Sequence, residues 1–211
     1  MSQAAPRGRT GRAQASSYDV TMPVVERLLR PERFALRPTG PGDVLDVGCG
    51  TAKWPGATGM DISPNTDADV VHDLDVFPYP LADNAFDQVL MQDVIEHVAQ
   101  PIRVMEELHR VCRNGASIHI RTPHFSSLLA YSDPTHRHFF SRLALASLAE
   151  PRFSHYTDVR FRTVSLALDL WLPYRALGIG ALANRFPDGY EKYFAFRFPA
   201  MNVRAQLEVV K

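Results

Sequence analysis

Val44-Leu45-Asp46-Val47-Gly48-Cys49-Gly50, followed by Thr58-Gly59-Met60-Asp61, is the stretch that decides the fold of this chain. Val44 to Val47 is a short apolar run broken by one acid, the pattern of a strand buried in a parallel sheet. Gly48 and Gly50, one residue apart, permit a tight turn and let a ligand approach the backbone with no Cβ in the way. Thr58 to Asp61 reads as the next strand, with an acid at its carboxyl end. In an open α/β sheet ligands bind outside the carboxyl ends of the strands, and an acid there suits the two hydroxyls of a ribose. A nucleoside-type cofactor is therefore expected.

A dinucleotide fingerprint would place a third glycine where Lys53 stands, and its acid about 20 residues further on. Asp46, just ahead of the turn, would repel a pyrophosphate and attract an ammonium or a sulfonium. Val70 to Leu74 is a further short strand containing an acid, and Phe77 to Asn84 is a turn-rich connection. Phe86 to Gln92 reads as a fourth strand leading into Asp93-Val94-Ile95-Glu96-His97-Val98, with Glu96-His97 one turn into a helix. Pro101 opens a helix with Ile102, Met105, Leu108 and Val111 on one face, and Asn114-Gly115 ends it. Ser117 to Thr122 alternates as a fifth strand before Pro123. An apolar helix through Leu148 follows Arg137-His138-Phe139-Phe140-Ser141. Thr163 to Leu172 and Val203 to Val210 read as a final strand pair at one edge.

This succession of motifs from Val44 to about Pro123 resembles the class I S-adenosylmethionine-dependent methyltransferases, and among them the small-molecule enzymes of the type 11 methyltransferase domain family. The resemblance implies an open, doubly wound, mostly parallel α/β sheet with helices on both faces and an antiparallel edge strand. It implies methyl transfer from S-adenosylmethionine to an oxygen, nitrogen or carbon nucleophile of a small molecule such as a natural product or a sugar. It places Asp46, Gly48, Gly50, Asp61 and Ile62 around the cofactor, Asp73 and Leu74 at its adenine, and Met91 and Gln92 at its methionine end. One departure stands out. Relatives carry a full helix between the first two strands, whereas Thr51 to Ala57 contains Pro55 and Gly56, which oppose a helix interior. A loop or single turn is expected there, leaving a patch of sheet for an N-terminal helix or a partner to cover. A cofactor-binding scaffold without transferase chemistry is the rival that this shortened crossover motivates.

His124-Phe125-Ser126-Ser127 and Tyr131 to His138 follow the fifth strand and so begin at the edge where the methyl group should point. His124 and His136 are candidate general bases, since histidine titrates near neutral pH. Tyr131, His138, Tyr190 and Tyr193 are candidate substrate contacts. A metal is the third option for this histidine group and would need ligands converging at ~2.0–2.2 Å. The expectation is that no metal is held, because a sulfonium methyl is already activated. Glu96-His97 is read as a brace for the strand end, and Asp133 to His136 as a turn. Gly178-Ile179-Gly180 and Pro187-Asp188-Gly189 are read as turns that fold the late segment over the pocket.

The chain has 211 residues, 45% of them hydrophobic, enough for one substantial core. Residues 1–17 read as a disordered tail and 18–211 as one methyltransferase domain, with pocket segments near 124–142 and 172–200. An amphipathic helix is expected at Val24, Val25, Leu28 and Leu29. Charge balances, at 23 basic against 23 acidic side chains. A basic groove for nucleic acid is therefore not indicated, although seven arginines face three acids within residues 1–40 and leave a protein or nucleic-acid substrate as a second alternative. No apolar run reaches membrane-span length. Two cysteines, Cys49 and Cys112, suggest a reducing, cytoplasmic setting. A monomer or homodimer acting on a small-molecule acceptor is expected.

Overall fold

Seven strands lie side by side in the computed structural model, which describes residues 36–149 and 157–211. They are β1 (Val44–Val47), β2 (Thr58–Asp61), β3 (Val70–Val71), β4 (Phe86–Gln92), β5 (Cys112–Pro123), β6 (Arg160–Leu170) and β7 (Ala200–Val210). Their order is β3-β2-β1-β4-β5-β7-β6. The pairs from β3 to β5 are parallel, while β7 runs antiparallel to both β5 and β6. The chain thus steps outward from β1 to β3, then returns past β1 to β4. That reversal makes the carboxyl ends of β1 and β4 a topological switch point, where open α/β sheets bind ligands. The expected tail and the expected helix at Val24 to Leu29 lie outside the described residues.

Residues 48–57 contain no helix. They turn through bonds from the Ala52 amide to the Cys49 carbonyl (3.3 Å) and from the Ala57 amide to the Trp54 carbonyl (3.0 Å). Residues 62–69 are equally helix-free. Lys53 takes part of the cover that a crossover helix would give. Its methylenes fill the space a Cβ on Gly59 would need (2.5 Å), and its ammonium reaches Asp69 at 2.7 Å. Asp69 in turn accepts the Gly59 amide at 2.8 Å.

Helix α1 (Pro101–Val111) starts where Pro101 indicates, but its buried stripe is Val104, Met105, Leu108 and Val111. Ile102 is only half-buried, because spacings of three drift off one face of a 3.6-residue helix. Nor does Asn114-Gly115 end the helix. It closes at Val111, and β5 begins at Cys112, with a bulge between the pairs Phe86–Cys112 and Gln88–Ser117 absorbing the extra residues. Gly115 supplies the positive φ of 80° inside that bulge. Glu96-His97 sits in a turn and not in a helix. Helices α2 (Leu129–Ser132) and α3 (Arg142–Ser147) follow β5, and α4 (Leu172–Ala176), α5 (Ile179–Arg185) and α6 (Pro187–Tyr193) link β6 to β7. Pro187-Asp188-Gly189 therefore opens a helix instead of making a turn, with Pro187 at its first position.

The connection from β3 to β4 also lacks a helix and is clamped onto α1 by one side chain. Arg110 donates to the carbonyls of Leu81 (2.9 Å) and Tyr79 (3.0 Å) and pairs with Glu107 (2.7 Å) and Asp83 (2.5 Å). Glu107 also accepts the Tyr79 amide at 2.7 Å, and the Tyr79 ring is buried in the core. Arg110→Ala should lower unfolding free energy by ~1.5–3 kcal/mol, the usual loss for hydrogen bonds to a charged group. Urea denaturation measures it, and a midpoint equal to the parent's would show that water replaces the guanidinium.

Candidate functional site

Every carboxyl end at the switch point carries a residue with a polar task. Gly48 and Gly50 both adopt positive φ, 64° and 55°. A Cβ on Gly48 would lie 2.3 Å from the Val94 side chain, so this position excludes any larger residue. A Cβ on Gly50 would meet nothing within 4 Å, which means that the turn opens onto free space and can admit a ligand. Asp61 holds the rim. Its two oxygens accept the Gly50 amide (3.0 Å) and the Ser63 amide (2.9 Å). A carboxylate has about four lone-pair sites, so both oxygens retain capacity for ribose hydroxyls. Asp46 accepts the Trp54 amide at 2.7 Å, and burial pushes its carboxyl above the ordinary value despite that bond. Ile62 stands 65% exposed beside this rim, an open apolar surface next to Asp61.

On the adenine side, Asp73 gives one oxygen to the Asp75 amide (2.9 Å), and Leu74 packs against the core with its carbonyl accepting the Tyr79 hydroxyl (3.1 Å). Asp75 and Asp83 each hold a neighbouring segment in place. Asp75 accepts the Ala99 and Gln100 amides at the start of α1, and Asp83 pairs with Arg110.

Several candidates have other work. Met91 is fully buried in the core, so only its backbone borders the site. Gln92 accepts the Leu36 amide at 2.8 Å. His124 is completely buried, which removes it as a general base. Its Nδ1 faces the Ser126 hydroxyl at 2.8 Å and its Nε2 faces Glu191 at 3.0 Å, so it latches the end of β5 to α6. Tyr190 is buried too, donating to the Phe198 carbonyl at 2.7 Å, and this removes it from the substrate wall. Tyr193 is exposed, with Lys192 lying 5.0 Å from its ring centroid. Tyr131 is exposed, stacks on Phe139 at 4.7 Å, and donates to the Phe125 carbonyl. His138 keeps its Nε2 buried and without a hydrogen bond.

The group the structure does assemble is Glu96, His97 and His136, whose donor atoms all lie within 4.8 Å of one another. Glu96 is 1% exposed, and burial raises its carboxyl to about 7 although Thr122 donates to Oε2 at 3.0 Å. Its Oε1 has no hydrogen-bond partner and lies 4.0 Å from His136 Nε2. Burial and the neighbouring His136 hold His97 below the ordinary imidazole value. Beside the group, Asp93 adopts a φ of 56° and pairs with Arg121. Sequence alone joins Glu96 to His97 and singles out His136, but only tertiary contact brings His136 to that pair. It gives no sign of Glu191.

A family model described as a methyltransferase domain matches residues 24–152, more than half of the chain. No curated protein sequence matches. Among solved structures, an S-adenosylmethionine-dependent methyltransferase from Archaeoglobus fulgidus is 18% identical, the match covering 87% of this chain and 93% of that one with a TM-score of 0.55. A structure described as a possible histamine N-methyltransferase from Thermotoga maritima is 18% identical over 88% of this chain and 95% of its own, also at 0.55. The Haemonchus contortus phosphoethanolamine N-methyltransferase 2, in complex with S-adenosyl-L-methionine, is 14% identical over 88% of this chain and 52% of that chain, at 0.52. At such identities the likeness is one of fold.

Asp61→Ala should weaken binding of the demethylated cofactor by ~1.5–3 kcal/mol, through lost hydroxyl contacts to a charged acceptor. Calorimetry reads it directly. An unchanged affinity would place the ribose away from β2.

Proposed function

Because the chain belongs to the class I S-adenosylmethionine-dependent methyltransferases and so uses that cofactor, we propose that its methyl acceptor is a small molecule, such as a natural product or a sugar, with an oxygen, nitrogen or carbon nucleophile. S-adenosylmethionine, when bound, supplies an electrophilic methyl group on sulfur. Asp46, Gly48, Gly50, Asp61 and Ile62 would hold its amino-acid and ribose parts, with Asp73 and Leu74 near the adenine. The protein's remaining task is alignment of the acceptor, which can supply ~7–11 kcal/mol of the barrier.

The observation that carries the acceptor class is an exposed aromatic wall beside the edge. Tyr131 and Phe139 stack at 4.7 Å, and Phe125 meets Phe196 edge-on at 5.6 Å. Tyr131, Phe139 and Phe196 are each more than 40% exposed, an arrangement suited to the ring or apolar body of a small ligand. Three cations near the same edge have acid partners: Lys53 with Asp69, Arg121 with Asp93, and Arg142 with Asp188, while Arg137 in the 125–140 loop is exposed. A polyanion would find little free positive charge in that set.

Incubating the full chain with S-adenosylmethionine isotopically labelled in its methyl, together with separate metabolite, protein and RNA fractions, tests the acceptor class. Label should enter the metabolite fraction. Incorporation confined to protein or RNA would overturn the small-molecule acceptor. Phe139→Ala should then raise KM for the acceptor more than it lowers kcat, since it removes ground-state packing and no reacting group.

A further inference from the structure

We propose that Glu96, His97 and His136 form a site for one divalent first-row transition-metal ion, poised to hold an acceptor hydroxyl. This runs against the expectation that the histidine group is metal-free.

The tautomers are fixed by hydrogen bonds in a way that leaves both rings ready to ligate. His136 Nδ1 lies 2.9 Å from the Ala130 carbonyl, which can only accept, so Nδ1 carries the proton of the neutral ring. Its Nε2 lone pair then faces Glu96. Thr135 has one hydroxyl proton, and the hydroxyl sits 2.6 Å from Asp133 Oδ1, a carboxylate that accepts it. The same Thr135 oxygen lies 2.9 Å from His97 Nδ1 and must therefore accept from that ring. His97 also keeps its lone pair on Nε2. Ligating histidines are normally oriented by such a bond from the other ring nitrogen, to a carbonyl, carboxylate or comparable acceptor.

The second observation is the unpartnered carboxylate oxygen. Glu96 is 1% exposed, and its Oε1 has no hydrogen bond while aimed at His136 Nε2 from 4.0 Å. That separation is too long for a hydrogen bond between the two and leaves room for an ion. A buried polar atom without a partner is costly, and a bound cation removes that cost. Ligand distances of ~2.0–2.2 Å need the three donor atoms to draw in slightly from their present spacing, an adjustment of side-chain torsions on two turns.

The donor set selects the ion. Two imidazoles and one carboxylate with open positions suit a divalent transition metal over Mg2+ or Ca2+, which favour oxygen ligands throughout. Its role rests on the methyltransferase reading of the same edge. Three protein ligands leave positions open, and a hydroxyl bound there loses its proton to water more readily because the cation stabilises the oxyanion. The aromatic wall on residues 125–140 lies on the segment that contributes His136, so the organic body of the acceptor and its metal-bound oxygen would be held by one loop.

The test uses the full chain after chelator treatment, titrated with Co2+ and with Mn2+. Visible absorption of ligated Co2+ and electron-spin resonance of free Mn2+ should report one saturable site per chain. His136→Ala and Glu96→Gln should weaken binding at least by the ~10–100-fold that changes even to outer partners of ligands cost. Thr135→Val, at an exposed residue, should weaken it within that range by freeing the His97 ring, and keeps the test valid where a buried variant fails to fold. Absence of a saturable site in the parent, or equal affinity in folded variants, would overturn the proposal. Binding of the demethylated cofactor to the metal-free chain is measured alongside: its absence would count against the methyltransferase reading and leave the metal result standing on its own.

Discussion

Two connections leave the centre of the sheet in opposite directions, one after β1 and one after β4, and they must share the space above the same edge. Val47 pairs with Met91 at that point, so the residues that follow each strand are close neighbours. The contact that resolves the conflict is Gly48 against Val94. Gly48 has no side chain and turns at a φ of 64°, and Val94 occupies the volume a Cβ would take. Once this pair is seated, Gly50 is presented over open space, Asp61 can reach its amide, and the loop of Asp93 to Val98 is held at a fixed height. The cofactor rim and the Glu96 group both inherit their positions from one missing methyl.

The half of the sheet from β1 to β3 is built without crossover helices among the described residues, and long side chains stand in for them. Lys53 lays its methylenes over Gly59, Asp69 binds both Lys53 and the Gly59 amide, Asp75 caps the start of α1, and Arg110 ties down two carbonyls. Exposed ion pairs contribute little by themselves. Their importance here lies in the backbone groups they satisfy, since loops crossing a sheet leave amides and carbonyls that no helix ladder will pair. Helix-free crossovers of this length are workable because each is sewn by charged side chains to a backbone neighbour.

The central strands were legible in the sequence because each contains an apolar or alternating run closed by glycine, an acid or proline, a signal local to a few residues. The shortened first crossover was legible for the same reason, from Pro55 and Gly56. What failed was whatever depended on depth or on distant partners. His124 and His136 look alike in sequence, each polar and each near an aromatic. Only the packing of α6, which brings Glu191 to His124, buries the first as a latch. Tyr190 and Tyr193 are three residues apart and fall on opposite sides of the burial divide, because α6 turns one inward and the other out. The end of α1 was misplaced because Asn114-Gly115 is good chemistry for a bulge as well as for a helix stop.

Glu96 joins the two halves of the site through three separate atoms. Its carbonyl accepts the amides of Arg137 (2.7 Å) and His138 (3.2 Å), fixing the acceptor-side loop to the turn after β4. Its Oε2 takes the Thr122 hydroxyl from the end of β5, and its Oε1 is left facing His136. A side chain that only braced a strand end would be expected to spend both oxygens on donors. Here the backbone and one oxygen already provide the brace, and Arg121 sits nearby engaged with Asp93. The remaining oxygen is held where burial makes an uncompensated charge expensive and where His136 Nε2 faces it from 4.0 Å. A methyl group at that position would carry no such cost, and a cation seated as proposed would remove it.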